Sequence, residues 1–287
     1  MQVSLGLPST IPGVPAELLF DWARQAESGP FTSLGVIGRL AYPNYEPLIT
    51  LAAMTSITRR IRLMSAALLA PLYNSGVLAK QVASIDALSG GRLTLGLGIG
   101  AREDDYRVAP SSFKQRGRTF DEQLAIMKRA WSGQPLSEGI GPIGPLPVQQ
   151  GGPELLIGGR ADAALKRVAH WANGYISSES NPQLALQNYQ RVEEFWKAEG
   201  RNGKPRFVGI TYFGLGPGAR EHINSYLLEY YAFRGPAAET IAHAAASTPD
   251  MVKETLRKFA DIGMDELLFW PCVPRLEQVD RLADLVG

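Results

Sequence analysis

A glycine-punctuated stretch from Leu78 to Gly100 constrains the fold more than any other part of the chain. Its first half repeats apolar residues at intervals of three and four, the spacing of one helix face, at Leu78, Val82, Ile85 and Leu88. Gly90 and Gly91 then end the helix, because glycine accepts the left-handed conformation of a helix C-terminus. A strand follows, with leucines on one face and small residues on the other: Leu93, Leu95 and Leu97 against Thr94, Gly96 and Gly98. A helix followed by such a strand indicates an α/β protein.

The strand ends in a nearly bare backbone, Gly98-Ile99-Gly100. Glycine leaves backbone N–H groups uncovered, so a flat or anionic ligand can approach them closely. Ligands of α/β enzymes bind at the carboxyl ends of the strands. The segment therefore predicts a binding site, although such a turn can also serve tight packing alone.

Strand-like and helix-like segments alternate along the whole chain. Eight strands favour an α/β TIM (β/α)8 barrel over an open doubly wound sheet, which has about six. We predict one domain over residues 1–287, with insertions after strands 4 and 7 at Ala101–Gly117 and Gly216–Asp261. Thr119 and Glu122 form a predicted capping box at a helix start. The predicted strands are Gln2–Leu7, Ser33–Gly38, Ile61–Leu69, Leu93–Leu97, Glu154–Ile157, Tyr175–Ser177, Phe207–Phe213 and Leu267–Trp270.

Composition excludes several classes of function. The formal net charge is +1, which argues against nucleic acid as a partner. The single cysteine, Cys272, excludes an internal disulfide and a cysteine zinc cluster, and the three histidines have no metal-site spacing. The chain begins without the basic start of a signal peptide and has no apolar run long enough to span a membrane, so we expect a cytoplasmic protein.

The segment Leu156-Ile157-Gly158-Gly159-Arg160 opens directly into a predicted helix. Free N–H groups and the positive end of the helix dipole favour an anion there, and Arg160 can add a bidentate contact to a phosphate. Ser177 and Ser178, at the end of the next strand, would lie beside this turn. A tight turn with Arg160 in solvent, beside an ordinary polar loop, is the alternative.

Other candidates follow the second and third strands and lie in the late insertion. Ser65, Ala66 and Ala67 are small enough to let a flat ring lie against the barrel mouth, or they serve core packing. Arg39 and Tyr42 are candidate substrate contacts, although Arg39 could instead pair with the acidic run at residues 103–105. An aromatic cluster could wall an apolar pocket, form a subunit interface or pack between helices: Tyr226, Tyr230, Tyr231 and Phe233.

Taken together, these segments resemble the bacterial luciferase-like family of flavin-dependent oxidoreductases over nearly the whole chain. The strongest match runs from Ala79-Lys80-Gln81 through Asp86–Arg92 to Gly96–Gly100. The next joins Leu156–Arg160 to Ala172-Asn173-Gly174-Tyr175-Ile176. The resemblance implies a TIM barrel, usually dimeric, that binds reduced FMN or the deazaflavin F420 at its mouth.

The resemblance also assigns expected roles to residues. Gly158, Gly159 and Arg160 would hold the cofactor phosphate with Ser177 or Ser178. The remaining cofactor residues would be Ser65, Ala66 and Ala67 beneath the isoalloxazine ring, with a cis peptide bond between the alanines, and Gly98 and Gly100 beside the ring.

The chain departs from the family pattern after the second strand. Many members carry a histidine there, and this chain has Gly38-Arg39-Leu40. Arg39 is a poor proton donor, because an arginine pKa exceeds about 12. The nearest candidate acids or bases are Glu103 and Asp105. Substrate contacts are expected from Arg39, Tyr42 and Tyr230.

The predicted function is that of a monooxygenase using reduced FMN, delivered by a separate flavin reductase, and oxygen on a small organic substrate. Flavin chemistry needs no nucleophile triad or metal cluster in the protein. Hydride transfer with F420 on the same barrel is the alternative. A phosphate-binding barrel isomerase or aldolase would need a lysine or carboxylate base at a strand end, and no predicted strand ends in lysine. A flavin-binding protein without turnover is the remaining hypothesis.

Overall fold

A computed structural model describes residues 1–109 and 111–287, and Pro110 lies outside the described residues. The strands are β1 (Gln2–Gly6), β2 (Ser33–Val36), β3 (Arg62–Leu69), β4 (Leu93–Gly98), β5 (Glu154–Gly158), β6 (Gly174–Ser177), β7 (Arg206–Phe213) and β8 (Glu266–Pro271). They form a closed barrel in sequence order, and β1 pairs in parallel with both β2 and β8. The predicted TIM barrel is confirmed. The open sheet is excluded, since its edge strands would pair on one side only.

Helices surround the barrel, and none of those described is long and apolar enough to cross a membrane. In the described residues they are α1 (Ala16–Ser28), α2 (Pro47–Ile57), α3 (Ser75–Ser89), α4 (Glu103–Arg107), α5 (Arg116–Trp131), α6 (Asp162–Trp171), α7 (Pro182–Ala198), α8 (Ala219–Tyr230), α9 (Ala237–Ala244), α10 (Pro249–Asp261) and α11 (Glu277–Val286).

The predicted helix and turn before β4 form α3 and its C-terminal cap. Gly90 follows α3 with a φ of 66°, in the left-handed region that glycine adopts without strain. Leu78, Val82 and Ile85 are buried, as predicted, but Leu88 is 68% exposed. Each residue advances about 100° around a helix, so Leu88 has rotated away from the buried face.

Two features differ from the sequence-based expectation. The helix α5 begins at Arg116, and the N–H of Thr119 already donates to the carbonyl of Gln115 at 3.0 Å. Thr119 therefore lies inside the helix, and the predicted capping box with Glu122 is wrong. The insertion after β4 contains the short helix α4 rather than only irregular chain.

Alternate positions along the strands face two different cores. Inward-facing residues fill the barrel, as in other barrels of this size, with Met64, Leu156, Val208 and Leu268 among them. Their outward-facing neighbours pack against the helices, with Leu63, Leu155, Phe207 and Leu267 among them. The two layers position the strands, and the strands in turn position the loops at their carboxyl ends.

Charged groups close the amino-terminal end of the barrel. Arg206 forms ion pairs with Glu154 and with the fully buried Glu266. Thr94 accepts a hydrogen bond from the Arg62 guanidinium and donates one to Glu154, each at 2.8 Å. These contacts pair the buried charges, which would otherwise destabilise the interior strongly.

Strand β3 approaches β4 very closely at Gly96. A Cβ atom on Gly96 would lie 2.1 Å from the carbonyl oxygen of Ser65, which is too close for any side chain. The hydroxyl of Ser65 donates to the Gly96 carbonyl at 2.9 Å and ties the two strands together. Two residues further on, a Cβ on Gly98 would meet only the Cβ of Ala67, at 3.8 Å.

These two glycines allow a matched test of the close approach. We expect Gly96→Ala to lower the free energy of unfolding by about 1–3 kcal/mol, the usual effect of overpacking a core. Gly98→Ala should change it by less than about 0.5 kcal/mol. Denaturant unfolding of both variants beside the unsubstituted protein measures the difference, and equal stabilities would contradict the described approach of β3 to β4.

Candidate functional site

A cavity of about 460 Å³ opens at the carboxyl ends of the barrel strands. Its wall is largely apolar and comes from β2 to β7, together with the insertions after β4 and β7. This is the end at which barrel enzymes bind their ligands. Eleven of the predicted site residues line it: Arg39, Ala66, Ala67, Gly98, Gly100, Asp105, Gly158, Gly159, Arg160, Ser178 and Tyr230.

The floor of the cavity is flat because it has almost no side chains. Ala66 and Ala67 contribute one methyl group each, and the peptide bond between them is cis, as expected. Gly98 lies next to Ala67 and adds no side chain at all. Ser65 is buried below this floor and does not line the cavity, since its hydroxyl is directed to the Gly96 carbonyl.

A glycine turn at the end of β5 forms another wall and leads into α6. Gly159 has a φ of 148°, and a Cβ there would lie 2.5 Å from the Cβ of Ala164, so the turn packs directly on the helix. The hydroxyl of Tyr175 donates to the Gly159 carbonyl at 3.0 Å. Ala161, the cap residue of α6, has no side-chain oxygen to accept from the first N–H groups. This end of the helix is therefore available to an anion.

Arg160 and the serines of β6 complete this wall. Arg160 has a side chain that is 52% exposed and forms an ion pair with Glu179. Ser178 lines the cavity, whereas Ser177 is buried and accepts a hydrogen bond from the N–H of Glu179 at 3.3 Å. Glu179 was not among the predicted site residues, because only the folded β6 loop brings its carboxylate to Arg160.

Arg39 pairs with the acidic run after β4, which was one of its two predicted positions. Its Nε donates to Asp105 at 2.9 Å, and its Nη2 contacts Asp104 at 3.3 Å. The second oxygen of Asp105 accepts from the N–H groups of Leu40 and Ala41, at 2.9 and 2.7 Å. Asp105 is 1% exposed, so this carboxylate clamps the loop after β2 to α4.

The structure does not bring all predicted residues to the cavity. Glu103 is exposed on α4 and lies outside the lining. Tyr42 lies behind Tyr230, with ring centroids 5.2 Å apart in an edge-on arrangement. The guanidinium of Arg39 lies 5.2 and 5.7 Å from the centroids of these two rings.

Arg102 joins the two insertions above the cavity. Its guanidinium lies 4.5 Å from the ring centroid of Phe233, and its Nη1 donates to the Tyr230 carbonyl at 3.3 Å. The same guanidinium forms an ion pair with Asp104. The aromatic segment after β7 therefore covers part of the cavity mouth and is held by the loop after β4.

The lining also includes residues that were not among the predicted site residues, and Tyr212, Tyr231 and Arg234 are three of them. Tyr212 follows the inward-facing Val208 and Ile210 at the period of two that defines a strand face. That period could have identified Tyr212 from the sequence. Tyr231 was predicted only as a member of the aromatic cluster. Arg234 lies three residues after Tyr231 and was not singled out from the sequence.

The chain matches the family model for luciferase-like monooxygenases over residues 5–266 and belongs to this family. An uncharacterised protein of Mycobacterium tuberculosis is 29% identical over 175 residues, which is 58% of this chain and 61% of that protein. The chain thus spans about three fifths of this curated relative. The FMNH(2)-dependent dimethylsulfone monooxygenase of Pseudomonas putida is 22% identical over 69% of this chain and 58% of its own length.

Solved structures agree with the family assignment at the level of the fold. The monooxygenase RslO1 from Streptomyces bottropensis superimposes with a TM-score of 0.79 at 19% identity, over 99% of this chain and 97% of that one. An F420-dependent secondary alcohol dehydrogenase does so with a TM-score of 0.79 at 14% identity, over 100% of this chain and 98% of that one. A type II Baeyer–Villiger monooxygenase from Pseudomonas putida in complex with FMN superimposes with a TM-score of 0.74 at 17% identity, over 100% of this chain and 97% of that one. Structures described with FMN and with F420 therefore share this barrel.

The ion pair between Arg39 and Asp105 predicts that removing the Asp105 carboxylate destabilises the protein more than removing the neighbouring Glu103 carboxylate. Asp105→Ala should lower the free energy of unfolding by about 3 kcal/mol, because it removes one partner of a buried ion pair while Asp104 still contacts Arg39. Glu103→Ala, at an exposed position of the same helix, should change it by less than about 0.5 kcal/mol. Chemical denaturation measures the free energy of unfolding of both variants. Similar decreases in the two variants would contradict the role of Asp105 in holding the loop after β2 to α4.

Proposed function

We propose that this protein is a flavin-dependent monooxygenase that uses reduced FMN and molecular oxygen to oxidise a small organic substrate. The observation that carries the proposal is the continuity of a flat, bare floor at Ala66, Ala67 and Gly98 with the glycine turn before α6. Membership of the luciferase-like monooxygenase family supports oxidative chemistry at this site. A separate reductase would deliver the reduced flavin.

FMN fits the residues present. Its planar ring system needs a surface without projecting side chains, and the floor provides one. Its phosphate needs N–H donors and a cation, which Gly159, the first turn of α6 and Arg160 can provide together with the Ser178 hydroxyl. Ser65 and Ser177 would not contact FMN. Their hydroxyls would instead hold the cavity floor and the end of β6 in place through hydrogen bonds with the Gly96 carbonyl and the Glu179 N–H group.

Bound reduced FMN would supply the two electrons with which one atom of molecular oxygen is transferred to the substrate and the other is reduced to water. The protein itself binds, orients and excludes water. Ile210, Ile241 and Ala245 make the wall apolar, and the segment held by Arg102 narrows the mouth. We assign Asp105 to holding Arg39, and no proton transfer to Glu103, because Glu103 lies outside the cavity lining.

Hydride transfer with F420 is the second candidate. Four arginines line the cavity, Arg39, Arg102, Arg160 and Arg234, and the long anionic tail of F420 would meet a positive potential at the mouth. Arg39, Arg102 and Arg160 are each paired with a carboxylate, which weakens this attraction. FMN, with one phosphate group, therefore requires less unpaired positive charge.

Titration of the purified apo-protein with FMN and with F420, followed by fluorescence, tests the proposal. We expect micromolar binding of FMN and substrate-dependent oxygen uptake when a reductase supplies reduced FMN. Gly98→Val should abolish FMN binding without unfolding the protein, since its side chain would occupy the space above Ala67. Binding of F420 alone would replace the oxygenase proposal by the deazaflavin one, and FMN binding without any turnover would indicate a non-catalytic flavin protein.

The phosphate assignment can be tested separately with riboflavin, which lacks the phosphate. Arg160→Leu should weaken FMN binding about 10-fold, near the lower end for a hydrogen bond to a charged group, because Arg160 is half-exposed. Riboflavin binding should not change. Arg257→Leu, at an exposed position of helix α10, is the control for general loss of positive charge. An equal effect of Arg160→Leu on both flavins would place the phosphate elsewhere.

A further inference from the structure

Two tyrosine hydroxyls meet on the wall of the cavity. Tyr212 lies near the carboxyl end of β7, and Tyr231 follows α8 in the late insertion. Their oxygens are 2.7 Å apart, and their rings pack edge to face with centroids 6.0 Å apart. Each hydroxyl has one proton to donate, and one of the two protons is used within the pair. The pair therefore retains one donor for a third group.

Both hydroxyls remain protonated at neutral pH. Burial raises the pKa of Tyr212 and the pKa of Tyr231 above the ordinary tyrosine value. Neither hydroxyl bonds to any other side chain or backbone group in the described part of the chain. A buried donor without a partner destabilises a protein, so a bound ligand with an acceptor oxygen would gain from meeting this one.

The surroundings of the pair favour an uncharged acceptor. Ile210, Ile241 and Ala245 line the same cavity, and an ion enclosed there would lose its hydration without full compensation. Arg39, Arg102 and Arg160 are already paired with carboxylates. Arg234 is half-buried near the pair, and it is the cation that could draw an anion to this wall instead.

We propose that the Tyr212–Tyr231 hydroxyl pair determines specificity by donating a hydrogen bond to an uncharged carbonyl oxygen of the substrate. The substrate is accordingly a neutral ketone, aldehyde or ester with an apolar body. This inference rests on the proposed function, because it names the substrate class of the same cavity. The pair would hold the carbonyl group at the β7 side of the cavity, and the apolar wall would hold the remainder of the molecule.

Three probes of similar size test the inference: cyclohexanone, methylenecyclohexane and cyclohexanecarboxylate. The first two differ mainly in the carbonyl oxygen, and the third carries a negative charge. Equilibrium dialysis against the full-length protein, with and without saturating FMN, measures their binding. The carbonyl stretching frequency of ¹³C-labelled cyclohexanone reports directly on hydrogen bonding.

We expect cyclohexanone to bind about 3- to 10-fold more tightly than methylenecyclohexane, the range for one net hydrogen bond. The double variant Tyr212→Phe/Tyr231→Phe should lose this preference and return the carbonyl frequency towards its value in an apolar solvent. Tyr226→Phe should retain both, because the Tyr226 hydroxyl is paired with Thr10 at 2.7 Å and lies outside the cavity lining.

The inference fails if cyclohexanone does not bind, if the preference survives in the double variant, or if the carboxylate binds more tightly than the ketone. Titration of the same samples with FMN separates this failure from that of the proposed function. Loss of the carbonyl preference with normal FMN binding would overturn the tyrosine assignment alone. A carbonyl preference without FMN or F420 binding would overturn the proposed function and leave the tyrosine assignment intact.

Discussion

The close approach of β3 to β4 is the constraint on which the candidate site depends. Gly96 has no side chain, so the Ser65 carbonyl oxygen can lie only 2.1 Å from the position that a Cβ atom would take. The Ser65 hydroxyl then bonds the Gly96 carbonyl, and the pairing of β3 with β4 becomes irregular between Ser65 and Leu68. The two alanines between those residues form the cavity floor. A larger residue at position 96 would separate the strands just below that floor.

Paired charges determine which ligands the cavity can hold. Asp105 accepts hydrogen bonds from Arg39 and from two backbone N–H groups, and Glu179 forms an ion pair with Arg160. An arginine whose charge is already paired attracts an anion less strongly than a free one. The cavity therefore combines an apolar wall and floor with hydrogen-bond donors, an arrangement suited to a flat cofactor beside an organic molecule.

Sequence patterns identified much of the candidate site because glycine and alanine have local structural meaning. The glycine turn at Gly158–Arg160, the small residues at Ala66 and Ala67, and Gly98 were all recognisable from the chain alone, and all line one cavity. The partner of Arg160 was not recognisable, and for Arg39 the acidic run at residues 103–105 was only one of two alternatives. Glu179 contacts Arg160 across a loop, and Asp105 contacts Arg39 across 66 positions of sequence, so their pairing exists only in the folded barrel.

The sequence by itself determined the alternation of strands and helices, the closed barrel that eight such units form, and the bare strand ends at its mouth. These follow from local periodicity and from the backbone freedom of glycine, which act over a few residues. Only the tertiary structure decided that Ser65 and Ser177 lie below the cavity surface, that Glu103 points away, and that Tyr212 meets Tyr231. Those outcomes depend on strand register and on how the insertion after β7 packs, and contacts between distant segments determine both.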